Sequence, residues 1–179
     1  MSELHATTVL LVRRAGRVAL VGDGQVTLDR TILKQGARKV RRAGGGRVLI
    51  GFAGGAADGL ALFDRFEAKL QAHAGQLERA VVELAQDWRT DRSMRQLQAQ
   101  MIVADHEAAY LVSGNGDLLQ PDGDDCLAIG SGGVYALAAA LALMRHTEMP
   151  AAEIARAAMT IAAEICIYTN DRFTLEELP

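Results

Sequence analysis

The chain has 179 residues, half of them apolar and 23% charged, with a net charge of −3. That length and composition suit one folded domain with a sizeable core and exclude a disordered chain. The weakly acidic balance disfavours nucleic acid, whose binding relies on Lys and Arg neutralising phosphates, and no apolar run reaches the ~18 residues that span a bilayer.

The opening Met1–Ala6, MSELHA, has neither the basic nor the apolar region of a secretory signal, so a cytoplasmic location is expected. Thr7–Arg14 reads as a strand, Ala15-Gly16 as a two-residue turn, and Val18–Val21 as the returning strand of a hairpin. Gly22-Asp23-Gly24 closes it. The basic stretch from Lys34 to Arg47 reads as a solvated loop or strand edge, with a short strand near Lys39–Arg42. A turn at Gly44-Gly45-Gly46 precedes the buried apolar strand Val48–Ala53. Gly54-Gly55 then opens a helix from Ala56 to about Gln71, with Leu60, Phe63, Phe66 and Leu70 at helical spacing. A second helix, Leu77 to about Arg89, aligns Leu77, Val81, Leu84 and Trp88 on one face.

Met101–Ala104 and Ala109–Ser113 are strand-like, and Gly114-Asn115-Gly116-Asp117 turns the chain back through Leu118-Leu119. Leu127–Ile129 is a short strand. Gly130-Ser131-Gly132-Gly133 leads into an Ala- and Leu-rich helix ending near Arg145, and Pro150 starts a helix from Ala151 to about Ile167. A last strand is expected around Arg172–Leu175. Strands then two helices, followed by strands then two helices, is not the βαβ alternation of a parallel doubly wound sheet. The order predicts an α+β domain whose sheets meet face to face under helical layers.

Few side chains carry an obvious chemistry. Cys126 and Cys166 lack CxxC spacing, and His5, His73, His106 and His146 form no HExxH pattern, so neither a disulfide framework nor a zinc site is expected. The Gly130–Gly133 loop lacks the Lys-Ser/Thr of a P-loop, which disfavours a nucleotide-binding module. The pair Thr7-Thr8 is explained by β-propensity alone. It has a second reading. A threonine hydroxyl needs a base to attack at neutral pH, and an α-amino group on the same residue, with a pKa of about 8, is one. Removal of Met1–Ala6 would give Thr7 that amine.

Thr7-Thr8, Gly22-Asp23-Gly24, Lys39 within ARKVRR, and GFAGGAAD from Gly51 to Asp58 follow one another in an order that resembles the N-terminal-threonine proteases, the family of the proteasome β-subunits. The further segments GDGQVTL, ELAQDWRTDR, VSGNGDLLQP, AIGSGG, EICIYTN and TLEEL extend the resemblance from Thr7 to Leu178. The resemblance implies a four-layer αββα sandwich of the N-terminal nucleophile hydrolases, with residues 1–6 a short propeptide and residues 7–179 a single protease domain. It implies Thr7 as nucleophile, Lys39 as a fixed cation beside it, and Asp23 as the anchor of that cation. Gly54 would offer its N–H to the oxyanion, and Ser131 would hydrogen-bond near the Thr7 amine. A structural sodium ion would sit on carbonyl oxygens of Ala163, Cys166 and Thr169, where Ala163 replaces a glycine common among relatives. No catalytic cofactor is implied. The partners implied are further copies of the chain, in a homo-dodecamer of two stacked hexameric rings, a hexameric AAA+ ATPase, and polypeptide substrates. A non-catalytic subunit of such a ring is the alternative, but it would be expected to have lost the nucleophile or the lysine.

Overall fold

The computed structural model describes residues 4–5, 8–97, 99–114, 116–121 and 125–179. Strands β1 (Leu4–His5), β2 (Thr8–Arg14), β3 (Arg17–Gly22), β4 (Val26–Leu28), β5 (Thr31–Lys34), β6 (Val40–Ala43) and β7 (Val48–Gly54) come first. Helices α1 (Ala56–Ala72) and α2 (Leu77–Thr90) follow, then β8 (Ala99–Ala104), β9 (Ala109–Ser113), β10 (Leu118–Leu119) and β11 (Cys126–Gly130). Helices α3 (Gly133–His146) and α4 (Ala151–Ile165) and strand β12 (Thr174–Leu178) complete the chain.

Two antiparallel sheets form the centre, one ordered β10-β9-β8-β7-β6 and the other β11-β2-β3-β12. The run VLLV in β2 shows why they stack. Val9 and Leu11 point into a core shared with Leu49, Ala53, Ile102 and Ile129 from between the sheets. Leu10 and Val12 point the other way, into a layer with Ala136, Ala140, Ile154, Ala158 and Ala162 of α3 and α4. A strand buried on both faces has no polar side, so its sequence is continuously apolar rather than alternating. On the opposite flank, Ile50, Met101 and Val103 pack under Leu62, Phe66, Leu70, Leu84 and Trp88 of α1 and α2. The layers therefore run helix, sheet, sheet, helix, as expected.

The structure corrects three local expectations. Leu60 is 44% exposed, and Leu62 takes the core position instead. Helix α4 ends at Ile165, because Cys166 leaves helical geometry at φ −93° and ψ 114°. The last strand begins at Thr174 and pairs with β3 through Leu178↔Val18. Past Gln25, where the sequence suggested no element up to Leu33, β4 and β5 form a hairpin, and β1 joins it in the register Leu4↔Leu28 and His5↔Thr27. No helix among the described residues is long and apolar enough to cross a membrane.

Candidate active site

Strand β2 starts the site. Thr7 lies outside the described residues, but its successor Thr8 is fully buried and bonded on every polar atom that it has. The Thr8 N–H donates to Oδ1 of Asp23 at 2.7 Å, and the Thr8 carbonyl accepts the Asp23 N–H at 3.1 Å. Its hydroxyl shares a 2.7 Å bond with the Thr169 hydroxyl and accepts the Gly132 N–H at 2.9 Å. A hydroxyl so committed is a structural group, not an available nucleophile. Gly132 has to be glycine, since a Cβ there would stand 2.5 Å from both threonine oxygens.

Asp23 lies just past the end of β3, with its side chain shut off from solvent. Its Oδ1 also accepts Nζ of Lys39 at 2.7 Å, and its Oδ2 accepts the N–H groups of Gln25 at 2.9 Å and Asn170 at 3.3 Å. Lys39 precedes β6, is 3% exposed, and gives a second proton to the Gln25 carbonyl at 2.6 Å. Burial pushes the Lys39 ammonium below its ordinary value of 10.5, an effect that the Asp23 charge and hydrogen bond oppose. An ammonium has three donors, and two go to Asp23 and Gln25 among the described residues.

The chain beside this pair opens into a cleft of about 430 Å³, lined by Val26, Lys34, Arg38, Lys39, Phe52, Gly54 and Leu60 among others. Gly54 ends β7 at φ +128°, a conformation that side chains disfavour, at the point where the strand turns into α1. Ser131 is exposed in the turn after β11, next to the Gly132 N–H that reaches Thr8. Asp23, Lys39 and Gly54 thus share one locality, and Ser131 borders it through Gly132. Sequence reasoning passed over Thr8, Gln25 and Asn170 as site residues and read Thr169 only for its carbonyl. The signal for the last two was the TN ending of EICIYTN.

Ala163 lies in the last turn of α4, where helical carbonyls run out of N–H partners, Cys166 follows the helix directly, and Thr169 lies in the loop beyond it. The Cys166 carbonyl accepts the Thr169 N–H at 3.0 Å and keeps a second lone pair. Neutral carbonyl oxygens in a turn are the donor set that a hard monovalent cation takes, so these residues fit the implied sodium. The described residues hold no group of three or more His, Cys, Asp and Glu side chains arranged for a metal. Cys126 is no rival nucleophile: burial and the neighbouring Asp125 push its thiol up to about 12.

Stacked antiparallel sheets between helix pairs, with an N-terminal strand tied to a buried Asp-Lys pair, define a threonine peptidase of the N-terminal nucleophile class. The profile of the proteasome subunit family matches residues 3–178, and the chain belongs to that family. It is 44% identical to eukaryotic HslV from Trypanosoma brucei, whose crystal structure superposes with a TM-score of 0.91 over 96% of this chain and 98% of that one. Two structures of BPH from Thiobacillus denitrificans share the fold. The one in complex with epoxomicin has a TM-score of 0.74 at 21% identity, and the other 0.72 at 19%, each covering 96% of this chain and 97% of its own.

Proposed function

We propose that the chain is the proteolytic subunit of an ATP-dependent protease of the HslV (ClpQ) type and cleaves polypeptides by acyl transfer to Thr7. The observation that carries this reading is the buried Asp23–Lys39 pair, bonded through Asp23 to the N–H of Thr8, the residue joined to Thr7. In the proposed reaction the Thr7 α-amine takes the hydroxyl proton as Oγ attacks the substrate carbonyl. The Lys39 ammonium, with a donor to spare among the described contacts, favours the developing negative charge on Oγ. The Gly54 N–H holds the oxyanion, a contact whose loss costs ~3–4 kcal/mol of barrier in such sites. Ser131 hydrogen-bonds near the amine. The amine returns its proton to the leaving group, and water then hydrolyses the threonyl ester.

The free amine requires Met1–Ala6 to be cut away, and Thr7 Oγ attacking the Ala6 carbonyl is the proposed route. Support comes from β1, which pairs with β4, the strand whose Val26 lines the cleft. Mass spectrometry of active protein should find Thr7 at the N-terminus; an intact Met1 or Ser2 start would rule the route out.

Further parts of the proposal rest on similarity to HslV. They are a homo-dodecamer of two stacked hexameric rings, a cytoplasmic location, and an AAA+ ATPase of the HslU (ClpY) type that unfolds substrates and activates the ring. A sodium ion on the Ala163, Cys166 and Thr169 carbonyls would brace the segment whose Thr169 hydroxyl meets Thr8. The chemistry needs no catalytic metal.

The deciding experiment is hydrolysis of a small fluorogenic peptide by wild type and Thr7→Ala, with and without the ATPase and ATP. Loss in the variant supports the reading. Equal activity in both removes Thr7 from the mechanism, and inactivity of the wild type under every condition points to a structural ring subunit.

A further inference from the structure

Lys39 ends a stretch, residues 35–39, with no helix or strand of its own, and residues 36–39 of this stretch form one wall of the cleft. A wall of irregular backbone stays in place only through discrete bonds. The Ala37 N–H donates to the Gly24 carbonyl at 2.9 Å, and the Lys39 carbonyl accepts the Phe52 N–H at 3.2 Å. Besides the Lys39 side-chain bonds to Asp23 and Gln25, a further bond comes from a distant part of the chain: Nδ2 of Asn170 donates to the Gln35 carbonyl at 3.0 Å.

The other end of the same amide is equally occupied. Oδ1 of Asn170 accepts the N–H of Gly24 at 3.0 Å and that of Arg172 at 3.2 Å. Because Gly24 offers a donor and Gln35 an acceptor, only one orientation of the amide satisfies both. The backbone N–H of Asn170 donates to Oδ2 of Asp23. One residue therefore joins the loop after α4, the turn bearing Asp23, and the cleft wall. There is no slack between the last two, since a Cβ on Gly24 would stand 2.3 Å from the Gln35 oxygen. None of the Asn170 side-chain bonds lies in a hydrophobic layer, so its contribution is to position rather than to cohesion.

We propose that Asn170 is a positioning residue that fixes the 35–37 wall against the Asp23 turn and thereby sets how well an extended substrate seats beside Lys39. The inference rests on the peptidase reading above. Its test is steady-state kinetics of the processed protein with its ATPase and ATP, using the best wild-type substrate from a panel of fluorogenic tripeptides. Two variants separate the roles. Asn170→Ala removes both halves of the amide. Asn170→Asp keeps the acceptor for Gly24 and Arg172 but cannot donate to Gln35 when ionised. Both should raise KM by about fivefold with kcat within about twofold of wild type, the scale of one lost hydrogen bond felt as substrate binding.

An unchanged KM in both variants, with only a lower melting temperature, would overturn the inference. So would a loss confined to kcat, which would assign Asn170 to the Asp23–Lys39 pair instead. If the alanine form does not assemble, the aspartate form decides; failure of both to assemble makes Asn170 a folding residue and also overturns the inference. A wild type inert on every peptide is a failure of the functional reading, and it is seen before any variant is compared.

Discussion

Nζ of Lys39 stands 2.7 Å from Oδ1 of Asp23, with the two side chains 3% and 0% exposed. The pair is asymmetric. Asp23 also accepts the N–H groups of Thr8, Gln25 and Asn170, whereas Lys39 has one other acceptor, the Gln25 carbonyl, among the described residues. Asp23→Ala therefore strands a buried cation and three backbone donors, and should destabilise by about 3–5 kcal/mol. Lys39→Met removes a charge that is costly to bury and leaves Asp23 with three partners, so it should cost clearly less. Thermal melts check this: the drop for Asp23→Ala should be about 10 °C, and larger than that for Lys39→Met. Equal drops would contradict the asymmetry. Peptidase activity should be lost in both.

The depressed Lys39 value gives a pH dependence of fixed sign. Between the folded-state value and 10.5 the unfolded chain binds more protons at this position than the folded one. The contribution of Lys39 to stability therefore rises with pH across that window, and its burial penalty is fully present below it. Activity that needs the cation moves the opposite way. The alkaline limb of kcat/KM should fall at a pH below 10.5 and differ from the amine-controlled limb near 8. An alkaline limb at or above 10.5 would show that the reaction does not need this charge.

The Thr8 hydroxyl should behave as a structural atom. Thr8→Val leaves the Gly132 N–H and the Thr169 hydroxyl without their shared partner, at a cost of about 1–3 kcal/mol. Thr8→Ser keeps the oxygen and should retain most stability and activity. Gly132→Ala drives a methyl group into the same two oxygens and should resemble Thr8→Val or be worse. Comparing melting temperatures with peptidase rates in all three checks the assignment, and a Thr8→Ser form as impaired as Thr8→Val would refute it.

Away from the site, Trp88 is fully buried between α2 and the outer face of β8 and β9. Trp88→Ala should cost about 3–5 kcal/mol as a cavity. Below its lowered melting temperature the variant should keep a near-normal KM, because Trp88 lines no part of the cleft. A raised KM at full folding would couple the helical layer to substrate binding.

Burial patterns made the sandwich legible. Strands covered on both faces give runs such as VLLV and VLIGFAG, and the α2 face of Leu77, Val81, Leu84 and Trp88 is buried as its spacing predicts. The β4–β5 hairpin escaped because all four β5 residues are exposed, so pairing rather than burial makes it a strand. Leu60 misled because its spacing to Phe63 and Phe66 fits a helical stripe, while the core takes Leu62, Phe66 and Leu70. In the site, Asp23 and Lys39 were readable through ordered motifs. The Thr8–Thr169 contact joins positions 161 apart in sequence and has no local signature.

The placement of β1 bears on synthesis as well as on chemistry. β4 lies between β1 and β5, so the proposed removal of residues 1–6 would leave one of its backbone edges without a neighbour, close to Ile32 and Leu33, which are 49% and 57% exposed. A bare edge next to apolar side chains is an adhesive surface for other chains. With β1 in place that edge is covered, so if residues 1–6 are cut away as proposed, the timing of the cut would also decide when the edge first becomes available to another polypeptide.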